Sequence, residues 1–296
     1  MTFGDAICMS KRIRFDAWIG LSLIITLGPV LAGCAFMLLY SVGLIGLLAT
    51  GFTLRHWSAV LLDLHTWISL LYSALLGCAS LGASMGLALG LQAALGAALR
   101  KGALRSLLFL PLAIPPLVAA LLSVELLGNA GLISRLAHAA GVIEQPAEFP
   151  TLLYTASGFG IVVTHMTMVW PFLLLLLDRH ARHGRVAELE QVSRTLGASA
   201  WQTWRRVRLP VLLRASGPVL CVYLVVLTGA YEVPLLVGAQ YPSMISVLIQ
   251  RRFSQFDLST RPEAYALACL YATLAIGSLF LLFALRARRE ARARSA

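Results

Sequence analysis

The sequence predicts an all-α protein: a polytopic bundle of about six transmembrane helices with both ends of the chain in the cytoplasm. Three observations predict it. Hydrophobic residues fill 59% of the 296 positions and charged residues only 12%, about half the charged share of an ordinary globular domain. The apolar residues are gathered into runs long enough to cross a hydrocarbon core, which takes roughly 20 helical residues at about 1.5 Å each. Lysine and arginine fall mainly on one side of those runs. Continuous apolar character selects helices over barrel strands, which alternate polar and apolar over about 10 residues.

The elements follow in order. A basic tail, 1–17, precedes a first span at Trp18–Val42, and an outer loop completes 18–66. Leu31, Ala32, Gly33 and Cys34 resemble a lipoprotein processing site, but the apolar run continues through Leu48, so an uncleaved span is expected. The second span, Trp67–Leu95, carries Gly82, Gly86 and Gly90 at four-residue intervals, flanked by Ala83, Ser84 and Ala88. Helices in lipid associate largely through small residues that let backbones approach, so this face is expected to pack on a neighbouring helix of this subunit or another. The third span, Leu104–Leu127, contains Pro111, Pro115 and Pro116, each without an N–H and liable to kink it. Such a kink suits a bundle that opens and closes, and equally suits plain membrane-helix architecture. Glu125, near its outer end, reads as structural and solvated by interfacial water.

The fourth span, Thr151–Leu177, holds His165, which reads as a packing residue because no second ligand stands at helical spacing. The fifth, Ala215–Val237, ends in TGAYEVPLLVG. Glu232 in that string, with Tyr231 and Pro234, is the candidate substrate path or gate. A carboxylate at membrane depth is costly, and Gly229 and Pro234 can loosen the helix so that polar backbone lines a cavity. An acid hydrogen-bonded to a neighbouring helix is the alternative. In the outer segment Gln240–Arg261, the recurrence of Ile245, Leu248, Ile249 and Phe253 predicts a short amphipathic helix lying on lipid headgroups or touching an external partner. A sixth span, Ala264–Leu285, leads into a basic tail, 286–296. Cys8, Cys78, Cys221 and Cys269 show no metal-ligand spacing and read as small buried apolar residues; no metal site is expected.

Of the 24 lysines and arginines, 19 fall on one side of the spans; Arg55, Arg135, Arg251, Arg252 and Arg261 fall on the other. Basic flanks are retained in the cytoplasm, which places both termini and the loop between the fourth and fifth spans inside and accounts for the net charge of +11. Nucleic acid is not an expected partner, since the basic residues flank spans and form no single surface.

That loop is the most distinctive part of the chain. Glu188–Leu196 are good helix formers, Gly197 permits a sharp turn, Ser199 can cap a second helix starting near Ala200, and Pro210 is expected to end it. On the second helix Ala200, Trp204 and Val207 share a face with Trp201 beside them, while Arg205, Arg206 and Arg208 point elsewhere. Two tryptophans on a short basic helix suit a partner's groove; a helix with its tryptophans among lipid headgroups is the other reading.

The run LEQVSRTLGAS followed by WQTWRRVRLPVLLRA resembles the Glu-Ala-Ala-x-x-x-Gly loop of type I ABC importer permeases. Gly197, Leu209 and Pro210 match; the Glu-Ala-Ala falls on Gln191, Val192 and Ser193, a departure, and Glu190 stands one residue early. Either Glu190 or Gln191 takes the place of the family's acid. The resemblance runs from about Trp67 to Leu285, through SLLYSALLGCASLGASMGLALGL, LPLAIPPLV, a His followed by Trp-Pro-Phe, and YEVPLLVG. The last string is most similar to permeases for polyamines, ferric iron and thiamine. The resemblance implies a permease core at 67–285 with a coupling loop at 178–214. In that loop Glu188, Glu190, Gln191, Gly197, Ala198, Ser199, Trp201, Trp204, Arg205 and Pro210 are the candidate residues for contact with an ATPase. It further implies two ATPase subunits that use ATP and Mg, a second permease subunit, an extracytoplasmic solute-binding protein and a place in the bacterial inner membrane. No catalytic residue and no cofactor of its own are expected. Lys11 and Lys101 follow Ser10 and Arg100, so neither completes a phosphate-cradling G-x-x-x-x-G-K loop. The alternative is an ion-coupled secondary transporter, which would be expected to show inverted repeats and several intramembrane acids. A membrane-embedded enzyme would need more than His165 and scattered serines.

Overall fold

The computed structural model describes residues 3–46, 49, 51–95, 106–183 and 186–295. Arg100, Lys101, Arg105 and Arg185, and the expected start of the third span at Leu104, lie outside them. In order come α1 (Phe3–Ser41), α2 (Arg55–Leu62), α3 (Leu64–Leu95), α4 (Phe109–Leu112), α5 (Pro116–Leu127), α6 (Leu132–Ala139) and α7 (Phe159–His183). Then follow α8 (Val186–Thr195), α9 (Ala200–Thr203), a π-helical turn (Trp204–Arg208), α10 (Leu209–Thr228), α11 (Glu232–Val237), α12 (Ile245–Phe253) and α13 (Arg261–Ser295). Among the described residues there is no strand. Six segments are long and apolar enough to cross a membrane: Gly20–Ser41, Leu64–Ala94, Pro116–Ala139, Phe159–Arg182, Ala200–Thr228 and Leu258–Arg288.

Several span boundaries differ from the sequence expectation, the fifth span most, which covers Ala200–Thr228 in place of Ala215–Val237; two others have reasons visible in the backbone. The fourth span starts at Phe159, eight residues after Thr151, because Tyr154 and Gly158 take positive φ of 59° and 68° that a helix cannot use. Ser157 Oγ then accepts the Phe159 N–H at 3.4 Å, and the helix begins. The third span breaks as its prolines predict. The chain turns through Ala113 and Ile114, Pro115 is extended at ψ 149°, and Pro116 opens α5 in the first turn, where a missing N–H costs nothing.

One compact unit comprises Met1–Asp63 and Ile249–Thr273. Along the most apolar stretch of the Gly20–Ser41 span no residue is buried, as suits a helix apolar on every side; burial starts at Tyr40 and Ser41. There Tyr265 packs on Tyr40 with ring centroids 4.4 Å apart, and Trp57 Nε1 donates to Ser41 Oγ at 3.1 Å. Arg252 pairs with Asp63, and its other terminal nitrogen lies 3.7 Å from Glu263. Asp257 caps the turn Leu258–Thr260 by accepting the Ser259 N–H at 2.9 Å, a bond that holds its carboxyl below the usual range.

The second unit comprises Leu64–Leu248 and Leu274–Ala296. Its centre is the pair α3 and α7, with α10 against both and α5 and α11 against the outer half of α7. Met85, Ala88, Val169, Leu173, Leu177 and Leu212 form one apolar core; Leu76, Ala120, Ile161, Val233, Val237 and Met244 form the other. Small hydroxyls join the helices. Thr164 donates to Ser123 Oγ at 2.8 Å, and Ser73 Oγ accepts the Ile245 N–H at 2.8 Å. That second bond helps hold α12, whose Ile245, Val247 and Leu248 are buried, so one side of the outer helix packs into protein, a contact that neither sequence reading of this helix included. Period alone cannot tell a lipid-facing stripe from a protein-facing one.

The small-residue face of α3 divides: Ser84 and Ala88 are buried within the chain. Gly82, Gly86 and Gly90 are exposed, and among the described residues no heavy atom beyond the neighbouring helical backbone and adjacent residues comes within 4 Å of where a Cβ would stand at any of them. The close approach is at Gly77, where a Cβ would stand 2.6 Å from Thr228 Cγ2. Gly77→Leu therefore overpacks the α3–α10 crossing and is expected to cost about 1–3 kcal/mol. A lowered thermal midpoint in detergent, with Gly82→Leu unchanged beside it, checks this. The cysteines divide likewise: Cys269 is buried, Cys221 partly so, and Cys34 and Cys78 are exposed, against the expectation for Cys78.

Candidate functional site

The loop between the fourth and fifth spans folds as the sequence predicts up to Thr203. At the end of α8 the Gly197 N–H bonds to Arg194 O at 3.0 Å and the Ala198 N–H to Ser193 O at 3.1 Å, the paired pattern of a Schellman stop. Gly197 sits at φ +84°, the left-handed region that favours glycine. Ser199 then caps α9. Its Oγ accepts the Gln202 N–H at 3.3 Å, and Gln202 Oε1 accepts the Ser199 N–H at 2.9 Å, a reciprocal capping box. Two helices thus meet at an elbow fixed by backbone bonds on both arms.

Pro210 does not end the second helix. The Leu209 N–H bonds to Trp204 O, five residues back, and α10 continues to Thr228. A proline inside a regular helix clashes with the carbonyl four residues earlier. The widened π turn just before Pro210 relieves that conflict, and Pro210 enters at the first turn of α10. The elbow's second arm and the fifth span are consequently one helical segment, Ala200–Thr228.

The elbow's outer surface is apolar at its tip. Leu196 is 82% and Trp201 64% exposed, with Val192 and Leu189 also exposed. Trp201 stacks on the half-buried Trp204, centroids 5.2 Å apart and planes 12° from parallel. Glu188, Gln191 and Arg205 are exposed on the same elbow, and Ala198 is half-buried in its bend. Glu190 turns inward. Its Oε1 accepts from Arg208 Nη1 at 3.1 Å, and Ser193 Oγ and Thr203 Oγ1 stand 2.9 Å apart. Sequence reasoning missed both links, since neither an 18-residue nor a 10-residue separation is a helical spacing.

The second candidate site behaves as its glycine and proline suggest. α10 stops at Thr228, the chain unwinds over Gly229–Tyr231, and α11 restarts at Glu232. Exposed Glu232 borders a cavity of about 370 Å³ whose walls include Pro111, Ile114, His165, Met168 and Tyr223. Of the three residues expected there, only Glu232 lines it. Tyr231 is the N-cap of α11 and Pro234 is buried in the core. His165 is 4% exposed and lies 3.4 Å from Ser80 Oγ through Nδ1, a packing residue with a partner. Among the described residues no cluster of His, Cys, Asp or Glu is placed to hold a metal ion.

Within the second unit, α4, α5, α7, α10 and α11 line the cavity at Glu232, and the elbow is built onto the helix that leads to it, an arrangement of apolar membrane-length helices that suits a transport protein. The chain belongs to the family of binding-protein-dependent transport system inner membrane components, which it matches over residues 82–292. It is similar to the molybdenum transport system permease protein of Mycobacterium tuberculosis, 34% identical over 120 residues, covering 40% of this chain and 41% of that one. A probable molybdenum ABC transporter permease of Haloferax volcanii is 27% identical over 180 residues, covering 61% and 60%. The matches therefore span less than two thirds of these relatives. In fold the chain is similar to the crystal structure of a bacterial ABC transporter involved in import of the acidic polysaccharide alginate, with TM-score 0.66, 16% identity and 96% of both chains covered. The crystal structure of a bacterial alginate ABC transporter in complex with an alginate pentasaccharide-bound periplasmic protein gives TM-score 0.63 at 17% identity, covering 94% of this chain and 93% of that one.

Proposed function

We propose that this chain forms the translocation path of an ATP-driven importer and is moved by a separate ATPase through the elbow at 188–210. The observation that carries the reading is the exposed Trp201 on a helix continuous with the fifth span. A large apolar side chain held in the open by a capping box and a Schellman turn is an anchor awaiting a groove. A helix that runs unbroken from that anchor to Thr228 carries displacement to the edge of the Glu232 cavity. ATP and Mg act on the ATPase, a second permease subunit completes the path, and a solute-binding protein delivers the cargo from outside. The test is assembly: an ATPase should copurify with this chain, and loaded binding protein should stimulate its ATP hydrolysis in proteoliposomes. Solute flux by the chain alone under an ion gradient would instead make it a secondary carrier.

For the cargo, the relatives' descriptions support a molybdenum oxyanion. Glu232 favours a second reading, a cation such as a polyamine, thiamine or ferric iron, because a carboxylate on the cavity wall attracts cations and repels anions. The two readings give opposite signs for Glu232→Gln. At about 4 Å and an effective dielectric near 20 a unit charge contributes about 4 kcal/mol, and about 1 in water, so the change is roughly fivefold or more. Uptake of the cargo through the mutant should fall if the cargo is cationic, and hold or rise if it is molybdate. Metal uptake read by mass spectrometry, beside radiolabelled polyamine and thiamine, distinguishes them.

A further inference from the structure

We propose that Glu190 and Arg208 form an internal strut that sets the angle of the elbow, so that the loop's acid serves this chain and not an ion pair to the ATPase. The proposal rests on the coupling function argued above and names the residues that hold its geometry.

Glu190 sits on α8, and Arg208 closes the π turn that leads into α10. Their 3.1 Å pair therefore spans the elbow from one arm to the other. Both side chains are only about one fifth exposed, at 18% and 20%, so solvent and salt screen the pair less than a surface bridge. A second link runs parallel. Ser193 Oγ donates to Glu190 O at 2.9 Å and lies 2.9 Å from Thr203 Oγ1, and Thr203 is buried at 2% exposure. Two cross-links between arms joined by one turn leave the elbow little freedom to flex. The pair also answers where Arg208's charge goes on a segment whose Arg205 and Arg206 are exposed. With Glu190 engaged inside the loop, the surface left for a partner includes Leu189, Val192, Leu196 and Trp201, with Glu188, Gln191, Arg194, Arg205 and Arg206 exposed around them. Glu190 is in this sense a positioning residue: it acts by holding Trp201 at a fixed attitude to the fifth span.

Charge reversal separates an internal strut from a contact with a partner. In the complex reconstituted with its ATPase and binding protein, Glu190→Gln and Arg208→Gln should each lower solute accumulated per ATP hydrolysed about tenfold, in the range of measured couplings for paired charges, while retaining the ATPase. The exchange E190R with R208E should restore coupling to within about twofold of the parent. If Glu190 bonded a cation on the ATPase, the exchanged pair would be worse than either single variant, and that result overturns the proposal. A readout independent of any partner accompanies it: spin labels at exposed Leu189 and Arg206 in a cysteine-free background. Their distance distribution should broaden in E190Q and narrow again in the exchanged pair; an unchanged distribution in E190Q also overturns the strut. Failure of the ATPase to copurify with the parent chain, with the label distances behaving as expected, would sink the coupling function and leave the strut standing.

Discussion

Gly197→Val is expected to abolish solute-stimulated ATP hydrolysis in the assembled importer while the chain inserts and folds normally. The cause is backbone geometry alone. At φ +84° no heavy atom of the described residues, the two chain neighbours apart, lies within 4 Å of a Cβ at this position, so an added side chain meets no obstacle there. What it cannot do is adopt the left-handed backbone at low cost. A non-glycine residue held there costs of order 1–3 kcal/mol, and a β-branched one stands at the upper end. If the turn instead relaxes to a negative φ, that strain is avoided but the bonds from Gly197 to Arg194 and from Ala198 to Ser193 are lost, at about 1 kcal/mol each. By either route a cost of about 2–3 kcal/mol lowers the population of the native elbow roughly 30- to 100-fold. Because the site is open, the effect should follow dihedral preference and not size: Asn, which enters this region readily, is expected to retain most coupling, Ala less, and Val least. The measurement is ATP hydrolysis with and without loaded binding protein for the four proteins at equal membrane content. Equal activity of Val and Gly, or a loss that tracks side-chain volume, would show that the turn does not set the elbow.

That turn was among the most legible features of the chain, since Gly197 and Ser199 each carry a local signal, a stop and a cap within three residues; the reciprocal cap by Gln202 is a local signal of the same kind that the sequence reading passed over. The six apolar runs and the break at Pro115 and Pro116 were legible for the same reason, because lipid and proline act on short stretches of chain. What the sequence hid depends on distance. Glu190 could not be assigned to Arg208 without the fold, and Gly77 could not be ranked above Gly82 as the site of close approach, because both lie in one small-residue stretch of α3. Pro210 misled in a different way. The rule that proline ends a helix holds for a regular helix, and the π turn at Trp204–Arg208 removes its premise. The first eight residues of the expected fourth span misled because hydropathy sees Thr151–Gly158 as membrane-like while Tyr154 and Gly158 fold it as a loop.

Trp201→Ala is expected to weaken binding of the ATPase by about 30-fold or more, the effect of losing an interface anchor worth about 2 kcal/mol or above. The thermal stability of the permease should not change. At 64% exposure Trp201 contributes little to packing within the chain beyond its stack on Trp204, so its removal leaves no cavity. Trp204 is the contrasting case. It is half-buried, stacked, and beside the Glu190–Arg208 pair in the wall of a recess of about 330 Å³, so Trp204→Ala should lower stability and coupling together. The pair of variants thus tells an anchor from a brace. It also decides between a protein groove and lipid as the environment of Trp201. If the ring lies among headgroups, alanine weakens attachment of the loop to vesicles and leaves ATPase affinity unchanged. A photoreactive side chain at 201, irradiated during turnover, should capture the ATPase; capture of phospholipid alone would remove Trp201 from the path by which force enters the bundle.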